Sequence, residues 1–280
     1  MIPFLHLGPL SIPTYGLMVS IGLLVAAYIL QADFNRHRAQ FIKKGYLKDE
    51  KNQGDEGFLV IGMAGIAGLI GSRIYSVLES PHEFIANPSI LFSRFGFTWF
   101  GGFLAGVIAL VFLARHFQIP VLEFIDLCSA PAALGYALGR MGCLLSGDGD
   151  YGIPTNLPWG MSFPNGIVPT MGVCAERGLP LDCRVHPTPI YEFLAWVIIA
   201  AFLWQMGKKS ASGAGSHGEI FSAYLILTGV ARFLVEFIRL NPKVLYGMTN
   251  AQVVSFLSVF FGAILLWRAR SSAPLRSKPA

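Results

Sequence analysis

The sequence predicts an all-α, polytopic membrane bundle of about seven transmembrane helices, with the N-terminus outside, the C-terminus cytoplasmic and a long external loop. Three observations predict it. Apolar residues make up 54% of the 280 residues and charged residues 13%, with a mean hydropathy of +0.56. So little charge could not cover a water-soluble surface of this size. Second, seven stretches come near the roughly 20 apolar residues that a helix needs to cross a bilayer. Third, basic residues crowd the connections on one side. The same composition excludes a disordered chain, which would be poor in apolar residues. A net charge of +5, scattered along the chain, does not suit a nucleic-acid binder.

The predicted spans are 14–32, 57–78, 97–115, 121–145, 189–206, 219–238 and 252–268. The opening residues (MIPFLHLGPLSI) lack a basic n-region and do not read as a cleavable signal. Short apolar patches near Ile85 and Phe92 are too brief to cross and read as interfacial or re-entrant. Six basic residues follow the first span: Arg36, Arg38, Lys43, Lys44, Lys48 and Lys51. Setting that segment in the cytoplasm places Arg115, Lys208, Lys209, Arg268, Arg270, Arg276 and Lys278 there too. Only Arg94, Arg177, Arg184, Arg239 and Lys243 fall outside, which is the bias the positive-inside rule requires. Gly62, Gly65, Gly68 and Gly71, with Gly102 and Gly106, read as close helix packing. Residues 1–280 form one transmembrane domain, with an external loop or lid at 146–189 and a cytoplasmic tail at 269–280.

Three arginines fall within spans: Arg73, Arg140 and Arg232, each in the outer half. An ionisable group there costs at least ~2.5–3.5 kcal/mol at the bilayer centre and is a functional candidate by default. The outside-to-inside spans begin with Tyr15, with Trp99 and Phe100, and with His186, Tyr191 and Glu192. Glu236 follows Arg232 by four residues on the same helical face. Polar groups from six helices thus share one level, about where a phospholipid carries its phosphate. A guanidinium suits that ligand, because its planar fork of donors stays charged when desolvated. The bland alternative is interhelical ion pairing, Arg232 with Glu236 or Arg140 with Asp126.

The run from Gly139 to Gly152 leaves the fourth span through glycine turns and carries Asp148 and Asp150. These could orient Arg140, act as a general base, or be solvated turn residues. A calcium loop fits poorly, since Trp159 stands where the bidentate Glu would be needed. The external loop holds Cys174 and Cys183, for which a disulfide is plausible on an oxidising face. Cys128 reads as apolar packing, and the chain contains no Cys-x-x-Cys pair to suggest zinc.

At these positions the sequence resembles the bacterial prolipoprotein diacylglyceryl transferase family. The likeness runs through Tyr15-Gly16-Leu17-Met18, Gly71-Ser72-Arg73-Ile74, Gly101-Gly102, Asp126 and Gly139-Arg140-x-Gly142. It continues through His186-Pro187 to Tyr191-Glu192 and through Arg232-Phe233-Leu234-Val235-Glu236-Phe237-Ile238-Arg239. The resemblance implies transfer of the diacylglyceryl group of phosphatidylglycerol to the lipobox cysteine thiol of a prolipoprotein, with release of glycerol phosphate. It implies an inner-membrane, multi-pass enzyme of lipoprotein biosynthesis, its active site toward the outer leaflet. Its partners would be phosphatidylglycerol, prolipoprotein signal peptides and the bilayer, with no nucleic acid, metal or cofactor. Arg140, Arg232, Asp148 and Glu236 would be catalytic, with Glu236 holding Arg232 in place. Tyr15, Arg73, Gly101, Gly102, Asp150, Gly152, His186, Tyr191, Glu192 and Arg239 would bind substrate.

The sequence also departs from the family pattern. Phe100 stands where members usually carry His, Cys143, Ser146 and Asp148 replace Asn, Asn and Glu, and Thr228 replaces a Tyr. A base for the thiol is then to be sought among Asp148, Asp150, Glu192 and His186. The competing reading is a phospholipid-binding protein on the same scaffold, non-catalytic or with an altered acceptor. A proton-coupled transporter would want midplane carboxylates and repeated halves, and the chain contains neither.

Overall fold

The computed structural model describes residues 2–47, 54–89, 98–212 and 215–271. Lys48, Lys51, Phe92, Arg94 and the tail beyond residue 271, with Arg276 and Lys278, lie outside them. In chain order the elements are β1 (Phe4–Leu7), β2 (Leu10–Pro13), α1 (Thr14–Lys43), α2 (Glu56–Glu79), α3 (Pro81–Ala86) and α4 (Trp99–His116). Then follow α5 (Val121–Ser146), α6 (Thr170–Glu176), α7 (Thr188–Ala211), α8 (Glu219–Val235), a 3-10 turn (Glu236–Ile238), β3 (Lys243–Leu245), β4 (Met248–Thr249) and α9 (Asn250–Ser271). Among the described residues the only sheets are two antiparallel hairpins, so the fold is helical as predicted.

Six helices (α1, α2, α5, α7, α8 with its 3-10 turn, and α9) are long and apolar enough to cross a membrane, and α4 is a shorter apolar helix. The protein is a multi-pass membrane protein. Large apolar side chains on their outer faces, such as Ile66, Leu69, Ile198, Leu234 and Phe256, are exposed, as lipid contact requires. Ile85 sits on the six-residue α3, consistent with a segment too brief to span.

The chain falls into two compact units, residues Met1–Ala26 with Asp126–Ala280, and residues Ala27–Ile125. In the second unit α1 does not stop at residue 32 as predicted but runs to Lys43. Its charged turn is sustained by partners: Arg36 pairs with Asp33 at 2.8 Å, Arg38 with Glu56 at 2.7 Å and Lys44 with Glu123 at 2.6 Å. Phe34, fully buried, packs against Phe41, Phe117 and Phe124. Helices α2 and α4 cross through glycine. A Cβ on Gly71 would stand 2.6 Å from the Gly101 carbonyl oxygen, and one on Gly102 3.2 Å from that of Gly68. Gly62 and Gly106 face open space, so the predicted packing stripe narrows to Gly68, Gly71 and Gly102.

In the first unit, α5 and α7 share a core of Ala130, Ala133, Ala137, Trp196, Ile199, Ala200 and Leu203, completed by Ile220 of α8. Small residues again set the spacing. A Cβ on Gly229 would meet the Ser255 carbonyl at 2.9 Å, and one on Gly262 the Ser222 carbonyl at 3.1 Å, so α8 and α9 lie close. Asp126 accepts the backbone N–H of Gly218 at 2.6 Å and of Phe221 at 2.7 Å, capping the start of α8. The segment between α5 and α7 has its own small core of Tyr151, Phe163 and Val185 with Leu144. Cys174 of α6 and Cys183 are joined by a disulfide.

Candidate active site

The site lies within the first unit, where α5, the loop after it, α7 and the end of α8 each deliver charge. Arg140 is on the last turns of α5, Asp150 on the following loop, Glu192 near the start of α7 and Arg232 near the end of α8. The 3-10 turn then tightens the chain so that Glu236 and Arg239 return to the same place.

Glu192 is the centre. Its side chain is wholly buried, and its Oε1 accepts from Arg232 Nη1 at 3.0 Å and from the Tyr136 hydroxyl at 3.0 Å. Its Oε2 accepts from Arg239 Nη1 at 3.1 Å and faces Arg140 Nε at 3.5 Å. Arg232 also pairs with Glu236 at 2.9 Å, four residues on, as its spacing predicts. Glu236 takes a further hydrogen bond from Asn241 Nδ2. Asp150 closes the set: one carboxylate oxygen bonds Arg140 and the other bonds Arg239. Three guanidiniums and three carboxylates therefore alternate. Arg140 also lies over the Tyr136 ring, 4.9 Å from its centroid.

The carboxylates are not equivalent. Glu192 and Glu236 have no exposed side-chain surface, whereas the Asp150 side chain is 29% exposed. Burial alone would raise the Asp150 carboxyl, but Arg140 and Arg239 outweigh it and hold the group below the ordinary carboxylate range. Asp148 goes the other way. Burial pushes it up, and the nearby Asp150 charge adds to this, against the lowering effect of its hydrogen bond with Cys143. Gly147 (φ 60°) and Gly149 (φ 92°) provide the left-handed turns that carry both aspartates back over the end of α5.

Cys143 Sγ and carboxylate oxygens of Asp148 and Asp150 lie within 4.8 Å of one another, close enough to hold a metal ion. Arg140 already places a cation there, on Asp150 and 3.7 Å from Cys143 Sγ.

The model of the prolipoprotein diacylglyceryl transferase family matches residues 3–268. The chain belongs to this family. It is 30% identical over 255 residues to a phosphatidylglycerol–prolipoprotein diacylglyceryl transferase of Clostridium tetani, covering 90% of this chain and 91% of that protein. Proteins of the same name from Leptospira interrogans (26% over 312 residues, 91% and 89%) and Xylella fastidiosa (27% over 300 residues, 98% and 94%) are also similar.

Within this family member, the structure brings together Arg140, Arg232, Glu236, Asp150, Glu192 and Arg239 of the sequence-predicted set. Asp148 is beside them, and Tyr15, at the head of α1, packs on Gly142, whose Cβ would stand 3.3 Å from the Tyr15 Cα. Gly152 works through its backbone: its N–H donates to the His186 carbonyl at 2.8 Å and it bridges to Arg239. His186 and Tyr191 hydrogen-bond each other at 3.2 Å. Gly101 and Gly102 form the α2–α4 crossing of the second unit, which also holds Arg73 on α2.

The alternative pairing of Arg140 with Asp126 does not form, because Asp126 caps α8 and Arg140 reaches Asp150 and Glu192 instead. Arg239, expected from the family likeness to bind substrate, is the third guanidinium of the network. Tyr136 escapes the sequence reading altogether, although it lies four residues before Arg140 and hence on the same face of α5.

Proposed function

We propose that this protein transfers the diacylglyceryl group of phosphatidylglycerol to the lipobox cysteine thiol of a prolipoprotein, at the outer leaflet of a bacterial cytoplasmic membrane. One observation carries the reading: Arg140, Arg232 and Arg239 come from separate elements and meet around Glu192 and Asp150. The names of the family relatives supply the substrates.

Asp150 sets one carboxylate oxygen on each of two guanidiniums, a geometry that two phosphate oxygens can take over. It is the exposed, loop-borne member of the network, so a lipid phosphate entering between Arg140 and Arg239 displaces it. The buried Glu192 and Glu236 stay and keep the guanidiniums aimed. In the reaction the acceptor sulfur forms a bond to the glycerol carbon, and the carbon–oxygen bond to phosphate breaks. The electron pair leaves on the phosphate, and the paired guanidiniums stabilise that growing charge. Cys143, Asp148 and Tyr15 flank the phosphate end. The lipobox segment of the signal peptide reaches the site from the bilayer.

The test is purified protein in phosphatidylglycerol vesicles with a lipobox peptide, read by mass spectrometry. A peptide gaining a thioether-linked diacylglyceryl group is expected, with glycerol phosphate released. Tight phosphatidylglycerol binding with an unmodified peptide would instead leave a lipid-binding protein on this scaffold.

A further inference from the structure

The charged network handles phosphate but leaves open where the thiol proton goes. Resting on the transferase reading, we propose that Tyr191 and His186, oriented by Trp159, form the proton relay that deprotonates the acceptor thiol.

Hydrogen-bond geometry carries the inference. The Trp159 indole Nε1 can only donate, so at 2.8 Å it gives its hydrogen to the Tyr191 hydroxyl oxygen. The Tyr191 hydroxyl lies 3.2 Å from His186 Nδ1, and in the proposed relay it donates there. In that relay Nδ1 is the bare nitrogen of the ring, and Nε2 carries the proton. The indole donor orients the phenol, and the imidazole stands next to it within hydrogen-bond reach.

Placement agrees. Tyr191 and Glu192 are consecutive on α7, so their side chains diverge by about 100° while their Cα atoms are about 3.8 Å apart. Glu192 turns to the guanidiniums and Tyr191 to the exposed Trp159. The relay adjoins the phosphate network without belonging to it. The central carboxylate of that network is a poor acceptor for the thiol proton, since Glu192 already accepts from Tyr136, Arg232 and Arg239. The other titratable or charged groups on elements around His186 are Arg184 two residues before it, Asp150 before Gly152, and Arg239 opposite Gly152.

The step balances. The thiol proton passes to the Tyr191 oxygen as the Tyr191 proton passes to His186 Nδ1, leaving a thiolate and an imidazolium. After sulfur attacks carbon and the phosphate departs, the imidazolium proton returns through Tyr191 to the released glycerol phosphate.

The experiment is the pH dependence of kcat/KM for the full-length protein in phosphatidylglycerol vesicles with a lipobox peptide. Wild type should show an acid limb of the profile that depends on His186. His186→Gln, which can accept a hydrogen bond but not a proton, should lose that limb and about 10²–10⁴-fold in rate. Tyr191→Phe should do the same, while thermal unfolding of both variants stays close to wild type. Nitrogen NMR of labelled histidine should show His186 with its proton on Nε2, and the Nδ1 signal should move in Tyr191→Phe. A His186→Gln enzyme that keeps the acid limb and a rate within about twofold overturns the relay and hands the role to Asp148. A proton found on Nδ1 overturns it as well. Absence of any thioether with wild type is a different failure: it removes the transferase reading, while the NMR tautomer still decides the hydrogen-bond direction.

Discussion

The two units bury charge in different ways. In residues 27–125 the ion pairs of the described residues run Asp33 to Arg36, Arg38 to Glu56 and Lys44 to Glu123. Each joins turns of one helix or fastens neighbouring segments. In the first unit the charges at the site are shared. Glu192 serves three guanidiniums, and Asp150 two. Pairwise burial is how a membrane helix tolerates charge. Shared burial keeps several cations aimed at one point, which a tolerated charge has no need to do.

The sharpest way to break the comparison is Glu192→Gln. It leaves three buried guanidiniums short of a counter-charge and should cost about 3–5 kcal/mol, measured by thermal unfolding in detergent. An unfolding temperature equal to wild type would mean the network is not held by its centre. Arg140→Ala should lower thioether formation about 10²–10³-fold by mass spectrometry, because it removes one stabiliser of the leaving phosphate. Cys174→Ser opens a crosslink between residues nine apart and should destabilise the segment between α5 and α7 by about 2–3 kcal/mol; limited proteolysis of that segment would report it. Glu56→Gln supplies the contrast from the pairwise unit: a loss of about 1–3 kcal/mol in unfolding, with turnover within about twofold of wild type. A large drop in turnover there would erase the distinction between the units.

The smallest effect concerns pH. Asp150 has its folded-state carboxyl below its unfolded value, so the stability it contributes is present above the ordinary aspartate range of about 3.9 and is lost as pH falls through the folded value. Asp150→Asn should therefore flatten the acid limb of a stability–pH curve. By removing the carboxylate that occupies the phosphate position, it should also tighten phosphatidylglycerol binding a few-fold in a vesicle assay.

The spans are legible in the sequence because hydrophobic length is a local property, and so is Arg232–Glu236, fixed by helical spacing. The extension of α1 to Lys43 is not. Arg38 lies in a helix because Glu56, eighteen residues away, neutralises it, and no window on the first span contains that partner. The partners of Arg239 are hidden for a similar reason. Its sequence position is external, but the 3-10 turn after α8 folds it back under Glu192. Asp126 suggests a partner for Arg140, but the free amides at the start of α8 take it first, and amides do not appear in a tally of charges.

That cap has a consequence for synthesis. Gly218 follows Asp126 by 92 residues, so at about 5–20 residues per second the ribosome needs roughly 5–18 seconds to supply the amides this carboxylate will accept. Over that interval α5 must already be lodged beside the translocation machinery, and α8 finds its seat only when it emerges. A stalled or truncated nascent chain ending before residue 218 would lack this latch, which makes it a natural substrate for membrane quality-control proteases.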